Sequence, residues 1–253
     1  MASSKTRLDL LLVARGLAES RTRAEALVLS GRVKVRGVER PKPGTPLPAD
    51  VELTVEGPEH PWVSRGGVKL AGGLDAFGID PAGRTCLDVG ASTGGFTDVL
   101  LSRGALRVYA IDVGHGQLHA KLRSDPRVVL REGVNARLLS REHVPEPCSL
   151  LVADVSFISL RLILPAAVPL LAPRAEALLL VKPQFESERG EVGRGGIVRD
   201  PAVRTRALER VVAAAAALGL AHAGTVPSPI TGADGNVELL AAFRRGAPPS
   251  GSD

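Results

Sequence analysis

The sequence predicts an α/β protein in which a small α+β domain precedes a doubly wound, mostly parallel sheet. Three observations predict this fold class. Apolar strand-like runs alternate with helix-like segments after residue 84, a glycine-rich turn follows the first run, and basic residues concentrate before residue 49. We divide the chain into a first domain (1–56), a linker (57–63), a larger domain (64–245) and a Gly-, Pro- and Ser-rich tail (246–253) that we expect to be disordered.

The first domain is predicted to contain two helices followed by strands. Thr6–Arg15 has apolar residues at helical spacing and ends before Gly16, and Ser20 is placed to cap a second helix. Gly31–Gly37 alternates basic and apolar residues, which is typical of a strand with one solvated face. Leu47–Val55 is predicted as a single closing strand.

Positive charge is concentrated in this first domain. Ten basic and four acidic residues precede residue 49, a net charge of +6 compared with +5 for the whole chain. Arg21 and Arg23 stand in the first turn of the second helix, where they oppose the helix dipole. This placement favours a bound anion, so the domain is predicted to bind a polyanion, with an ordinary solvated surface as the alternative.

Strands and helices alternate through the larger domain, which favours a mostly parallel sheet. We predict strands at 85–89, 107–112, 127–131, 149–154, 176–182, 221–226 and 236–243. Helices are predicted near 68–78, 95–103, 117–121, 160–171 and 201–218.

Composition also restricts the class of protein. Cys86 and Cys148 lie at or near apolar runs and are interpreted as buried thiols in a reducing compartment. The chain opens without a secretory signal, its longest apolar run (162–173) is too short to span a bilayer, and it has no His, Cys and carboxylate cluster at metal-ligand spacing. We therefore predict a cytoplasmic protein with no metal site and no membrane contact.

The segment 86–97, Cys-Leu-Asp-Val-Gly-Ala-Ser-Thr-Gly-Gly-Phe-Thr, carries the main functional signal. It is predicted as a buried strand, a glycine turn and a helix start, an arrangement that lets backbone approach a ligand closely. A carboxylate at the strand tip repels phosphate but suits the amino group and sulfonium of S-adenosylmethionine, so a methyl donor is favoured over a dinucleotide. The predicted cofactor contacts here are Asp88, Gly90, Ala91, Ser92, Thr93, Gly94, Gly95 and Phe96.

Polar residues also follow the next two strands of the predicted sheet. Asp112 ends the second strand, 24 residues after Asp88, where a carboxylate can accept hydrogen bonds from ribose hydroxyls. Asn135 follows the third strand and can meet an adenine edge. Both residues are predicted cofactor contacts, because ligands of doubly wound sheets lie beyond the carboxyl ends of the strands.

Four charged residues are predicted to converge at the same edge of the sheet. Asp154 and Lys182 end the fourth and fifth strands, Glu238 lies inside an apolar stretch, and Lys69 lies on the first helix of the domain. Burying an unpaired charge is costly, so these groups are expected to pair, with Asp154 as the partner of Lys182. A catalytic cleft is the favoured interpretation, and a structural salt-bridge network is the alternative.

The run at residues 17–33, in its helix–helix–strand order, resembles the S4 domain, a small RNA-binding module, over about residues 6–55. The resemblance implies binding to structured RNA, mainly through phosphate contacts and shape. The residues expected to bind RNA are Arg7, Arg21, Arg23, Arg32, Lys34, Arg36 and, at the start of the larger domain, Arg65.

Lys69, Asp154, Lys182 and Glu238 together resemble the Lys-Asp-Lys-Glu tetrad of the FtsJ/RrmJ-like ribose 2′-O-methyltransferases. With the S4 module in front, the chain resembles the TlyA family of ribosomal RNA cytidine-2′-O-methyltransferases over about residues 6–243. The motifs are Trp62–Leu70, Leu87–Phe96, Ala153–Phe157, Val181–Phe185 and Gly235–Glu238. The resemblance implies a Rossmann-like methyltransferase sheet, a catalytic tetrad, S-adenosylmethionine as cofactor, and ribosomal RNA or ribosomal subunits as partners.

Two other classes of function remain as alternatives. An NAD-dependent oxidoreductase could use the same glycine turn, although Asp88 and the four charged residues argue against it. A non-catalytic RNA-binding protein or a membrane-lytic, haemolysin-like protein is the other alternative. The chain has no spanning or strongly amphipathic segment for lysis, and a protein that only binds RNA has no use for buried charges at strand ends.

Overall fold

The computed structural model describes residues 5–18, 20–29, 31–56, 60–232 and 235–246. It divides the chain into two units, residues 1–61 and 62–253, and each unit has its own apolar core. Part of the predicted linker (57–59) and nearly all of the predicted tail (247–253) lie outside the described residues.

The first unit combines two helices with two pairs of short strands. The strand Lys5–Arg7 pairs with Pro46–Pro48, and Val33–Val35 pairs with Leu53–Val55, both antiparallel, and buried leucines of the first helix pack in a core with Val28 and Val33. The hydroxyl of Ser20 accepts a hydrogen bond from the Arg23 N–H, which confirms the predicted cap. The elements are β1 (Lys5–Arg7), α1 (Leu8–Ala14), α2 (Arg21–Leu29), β2 (Val33–Val35), β3 (Pro46–Pro48) and β4 (Leu53–Val55).

The single closing strand predicted at Leu47–Val55 is wrong. This segment contributes to two strands, β3 and β4, which belong to different sheets. Proline has no backbone N–H to donate to a ladder, and a turn at residues 49–50 separates the two strands.

The second unit alternates helices and strands as predicted. Its first half consists of α3 (Gly66–Phe77), β5 (Thr85–Val89), α4 (Gly95–Ser102), β6 (Arg107–Ile111), α5 (Ala120–Arg123) and β7 (Val128–Arg131). Its second half consists of β8 (Cys148–Ala153), α6 (Leu160–Ala167), β9 (Leu171–Val181), α7 (Pro183–Glu186), α8 (Pro201–Ala217), β10 (Leu220–Pro227) and β11 (Leu239–Arg245).

Seven strands form one sheet in the order β10-β11-β9-β8-β5-β6-β7. Strands β5 to β9 are parallel to their neighbours within this set, and β11 runs antiparallel to β9 and β10. The strand order reverses between β5 and β8, so a crevice is expected at the carboxyl ends of these two strands. The sheet confirms the predicted α/β class.

Several boundaries differ from the prediction. The helix predicted near 117–121 lies at Ala120–Arg123, and the strand predicted at 236–243 lies at Leu239–Arg245. The helix expected at 160–171 ends at Ala167, a 3₁₀ turn covers Val168–Leu170, and β9 begins at Leu171 rather than at 176. Pro169 lies within this turn and cannot continue an α-helical hydrogen-bond ladder.

Candidate active site

Two glycine-rich helix starts lie against each other near the end of β5. A Cβ built on Gly95, the first residue of α4, would lie 2.3 Å from Ser64 Oγ and 2.8 Å from the backbone nitrogen of Gly67. Only glycine lets the starts of α3 and α4 approach this closely. The contact brings Lys69 of α3 and the turn after β5 to the same cavity.

The turn after β5 also touches the end of β8. Gly90 has a φ of +86°, and a Cβ there would lie 2.4 Å from the carbonyl oxygen of Asp154. Ser92 has a φ of +48°, and its backbone N–H donates to Asp112 Oδ2 at 2.7 Å. The carboxylate after β6 therefore helps to shape the turn, which contributes to two cavities.

The larger cavity has a volume of about 600 Å³. Asp112 lies in its lining and also accepts a hydrogen bond from the Gly114 N–H at 2.7 Å, while Asn135 Oδ1 accepts one from the Arg137 N–H at 3.0 Å. Apolar side chains suit a planar base, and carboxylate and amide oxygens suit hydroxyl groups. The lining includes Ile111, Val134, Ile158, Asp112, Gln117 and Asn135.

The smaller cavity, about 260 Å³, carries the charged residues. Lys69 Nζ donates to Glu238 Oε2 at 2.6 Å, and Lys182 Nζ lies 2.6 Å from Asp154 Oδ1. These side chains are 11% and 3% exposed in the first pair and 10% and 19% exposed in the second. Lys69, Asp154 and Lys182 line the cavity, and Glu238 is linked to it through Lys69.

Lys182 has a further partner that was not predicted from the sequence. Nζ of this lysine donates a hydrogen bond to Ser156 Oγ at 2.8 Å. Ser156 lines both cavities, as do Gly90, Ser92 and Asp154. Ser156 stands two residues after a strand-end carboxylate and within the Ala153–Phe157 motif, but neither position indicates a contact with Lys182.

Asp88 does not reach either cavity, so its predicted contact with the cofactor is not supported. The side chain is fully buried, and Oδ2 accepts a hydrogen bond from Thr97 Oγ1 at 2.6 Å. Burial raises the pKa of this carboxyl to about 7, because a charged carboxylate is poorly solvated there. Asp88 thus connects β5 to the first turn of α4 from inside the core.

The other residues of the predicted glycine turn divide between the cavities and the core. Gly94 lines neither cavity: a Cβ there would lie 2.2 Å from Leu122 and 2.8 Å from Leu118, so the predicted cofactor contact at this residue is not supported either. The turn residues on the smaller cavity alone are Ala91, Thr93, Gly95 and Phe96.

Glu186 is a second residue that the sequence analysis missed. It is 1% exposed, accepts a hydrogen bond from the Leu160 N–H at 2.7 Å, and also accepts one from the Ser159 hydroxyl. Burial raises the pKa of this carboxyl. Glu186 therefore connects the start of α6, just beyond Ser156, to the segment that follows Lys182.

In the first unit, two of the predicted RNA-binding arginines share a buried carboxylate. Asp9 is fully buried and accepts hydrogen bonds from Arg7 Nε and Nη2, at 3.0 and 2.7 Å, and from Arg21 Nε at 3.1 Å. The hydrogen bonds from these guanidinium groups hold the pKa of Asp9 well below its usual range. The position of Arg21 at a helix start predicts an anion beside it, and the Asp9 carboxylate is one such anion.

The remaining basic residues differ in how far they are engaged. Arg32 donates two hydrogen bonds to the backbone carbonyl of Glu56, whereas Arg23 is exposed. Lys34 and Arg36 form ion pairs with acidic residues at 3.8 and 2.8 Å in which all four side chains are exposed. Arg65 lines the smaller cavity and donates to the carbonyl of Thr231 at 3.2 Å.

Each of the two units matches a known protein family. An FtsJ-like methyltransferase model matches residues 62–245, and an S4 domain model matches residues 6–53. The chain is 50% identical to the 16S/23S rRNA (cytidine-2′-O)-methyltransferase TlyA of Mycobacterium tuberculosis, over 95% of this chain and 90% of that protein. It is 42% identical to Hemolysin A of Brachyspira hyodysenteriae, over 94% and 99%. A solved structure from Streptococcus thermophilus has a TM-score of 0.75 at 42% identity, covering 97% of this chain and 90% of that one.

Fold, cavities and matches together define an FtsJ-like methyltransferase domain preceded by an S4 domain, a class that uses S-adenosylmethionine as its cofactor. The dinucleotide alternative has no support from these matches. Within that class, the chain belongs to the TlyA family of ribosomal RNA cytidine-2′-O-methyltransferases, as its motifs indicated. In the described part of the chain, no helix is both long and apolar enough to cross a bilayer.

Proposed function

We propose that this protein transfers a methyl group from S-adenosylmethionine to the ribose 2′-hydroxyl of cytidines in ribosomal RNA, in the 16S and/or 23S molecule, free or within ribosomal subunits. The observation that carries this proposal is the pair of buried lysine–carboxylate contacts at a cavity that shares Asp154 and Ser156 with the larger cavity. We choose cytidine as the target nucleotide because the 50% identical relative is named as a cytidine-2′-O-methyltransferase.

The residues around the larger cavity fit S-adenosylmethionine. When bound, the cofactor supplies a methyl group activated by a positively charged sulfur. Asp112 would accept hydrogen bonds from its ribose hydroxyls, because each carboxylate oxygen keeps a free lone pair beside its backbone N–H. Ile111 and Val134 would face the adenine, and Asn135 would hydrogen-bond to its edge. A volume of about 600 Å³ lies within the range of small-molecule sites.

Lys182 is the residue we assign to the acceptor hydroxyl. A ribose 2′-hydroxyl is a poor nucleophile at neutral pH, so the enzyme has to favour its deprotonation and stabilise negative charge on the oxygen. Lys182 lies on the smaller cavity and can do both, and Asp154 orients it. Alignment of the hydroxyl with the methyl group supplies much of the remaining rate, since oriented reactions reach effective molarities of about 10⁵–10⁸ M.

Lys69, on α3, and Glu238, just before β11, form the second charged pair of the site. The carboxylate neutralises Lys69 and fixes Nζ at the cavity, where the ammonium can donate to ribose oxygens. We assign this pair to ribose binding rather than to proton transfer.

The S4 domain is proposed to hold the ribosomal RNA. Exposed ion pairs such as those of Lys34 and Arg36 contribute little to stability, so these cations can exchange their carboxylate partners for phosphates at small cost. Arg23 adds an exposed charge, and Arg7 and Arg21 present guanidinium groups held on Asp9. Arg32 and Arg65 are assigned the same role, Arg65 beside the smaller cavity.

The test measures transfer of a labelled methyl group from S-adenosylmethionine to ribosomal RNA and to isolated subunits, with the modified position mapped by 2′-O-methyl-sensitive primer extension. Lys182→Ala is expected to lose transfer by about 10²–10⁴-fold, the usual contribution of a general acid or base. Lys121→Ala is the matched control, because Lys121 also pairs with an aspartate, at 3.0 Å, but lines neither cavity. Full activity of Lys182→Ala, or transfer to a base instead of a ribose, would refute the proposal.

A further inference from the structure

Lys182 has two contacts that differ in kind. The contact with Asp154 Oδ1, at 2.6 Å, is an ion pair, whose attraction depends mainly on distance. The contact with Ser156 Oγ, at 2.8 Å, is a directed hydrogen bond. Among the residues that the structure describes, Ser156 is the only side chain to which Lys182 donates a hydrogen bond of this kind.

The position of Ser156 suits it to act on the reaction rather than on the fold. The residue is exposed, lies on a segment between β8 and α6, and lines both cavities. Lys182, by contrast, is nearly buried at the end of β9. The hydrogen bond therefore fixes the direction of Nζ at the place where the two cavities share residues.

From these contacts we propose that Ser156 is a positioning residue: its hydroxyl takes up one N–H group of Lys182 beside the Asp154 carboxylate and so fixes the rotation of Nζ, with the position that accepts the proton facing the ribose 2′-hydroxyl. The nitrogen is tetrahedral, so fixing the side-chain carbon and one N–H group also fixes the directions of its two remaining positions. This inference rests on the proposed function, because it assigns the geometry of the same lysine.

The proton balance follows from this arrangement. The O–H bond of the 2′-hydroxyl breaks, and its proton forms the third N–H bond of the Lys182 ammonium. The electron pair left on oxygen forms the bond to the methyl carbon while the carbon–sulfur bond of the donor breaks and its electrons stay on sulfur. Asp154 then faces a full positive charge at 2.6 Å, which stabilises the product state of the proton transfer.

The test compares Ser156→Ala with Ser156→Thr in steady-state methyl transfer to ribosomal RNA. Thr keeps the hydroxyl, and its additional methyl group has room because Ser156 is exposed. Ser102→Ala is the matched control: Ser102 is also exposed, but its hydroxyl donates only to the carbonyl of Val99 and lines neither cavity. Binding of S-adenosylhomocysteine and the thermal unfolding midpoint are measured for every variant.

Loss of the positioning bond is expected to lower kcat by about 10- to 100-fold in Ser156→Ala, the range for a hydrogen bond to a charged group. KM for RNA, cofactor binding and the unfolding midpoint should stay near wild type, and Thr should restore most of kcat. The inference is overturned if Ala keeps full kcat, if only KM changes, or if Thr fails to rescue. Failure of the proposed function gives a different result, because the wild-type protein itself would then transfer no methyl group to the ribose.

Discussion

Replacing Asp88 by Asn should remove a pH dependence of stability that is built into the core. Burial raises the pKa of Asp88 to about 7, compared with 3.8 for an exposed aspartate. Between these two values the unfolded chain has lost the proton that the folded protein keeps. Stability therefore falls as pH rises, by about 1.4 kcal/mol per unit, and the loss levels off above pH 7. Over pH 5–8 this amounts to about 3 kcal/mol.

Urea unfolding at pH 5, 6, 7 and 8, followed by circular dichroism, measures the effect directly. Asn carries no titratable proton, so the difference in free energy of unfolding between wild type and Asp88→Asn should shift by about 3 kcal/mol in favour of the variant across this range. Thr97→Val is the second variant. The Thr97 hydrogen bond lowers the pKa of Asp88, so its removal should extend the decline to higher pH. Parallel pH curves for wild type and Asp88→Asn would show that the reasoning is wrong.

Two further substitutions test the frame of the site. Glu238→Ala leaves a nearly buried Lys69 ammonium without its partner and should lower the free energy of unfolding, measured in urea, by about 3–5 kcal/mol. The double variant Lys69→Met/Glu238→Leu should recover most of this stability, and an equal loss in both variants would contradict the reasoning. Gly90→Ala brings a Cβ to within 2.4 Å of the Asp154 carbonyl oxygen and should reduce the thermal shift caused by S-adenosylhomocysteine. Gly78→Ala, at a φ of +63° with nothing within 4 Å of the added Cβ, should cost only about 1–2 kcal/mol of backbone strain and leave that thermal shift intact.

The Asp154–Lys182 pair of the candidate site was predictable because both residues stand at strand ends. Once the apolar runs are assigned to strands of a parallel sheet, Asp154 and Lys182 necessarily reach the same edge, and the cost of burying charge predicts that they pair. Ser156 carries no such signal, since a serine near a strand end is ordinary in any loop. The early start of β9 at Leu171 was not predicted for a similar reason. A proline-containing turn ends α6 early, and the apolar residues that follow suit a helix as well as a strand.

Residues that act through distant partners were outside the reach of the sequence. Asp9 interrupts an apolar helix, but its partner Arg21 lies on the next helix. Glu186 caps a helix that begins 26 residues earlier. Asp88 was assigned to the ligand because it stands at a strand tip, yet its side chain points to the core face, where Thr97 meets it. The position of each carboxylate in the chain correctly indicated the carboxyl ends of the strands. It did not indicate whether the side chain faces the core or a cavity.

Because the two cavities share Gly90, Ser92, Asp154 and Ser156, a single compound can span both. An inhibitor that links an adenosine-like half to a ribose phosphate would bind its second half at a high effective concentration once the first is in place. Such a bisubstrate compound would compete with donor and acceptor at the same time. Its linker would pass Gly90, where even a Cβ would be too close to the Asp154 carbonyl oxygen. The space between these two residues therefore limits how bulky the linker can be.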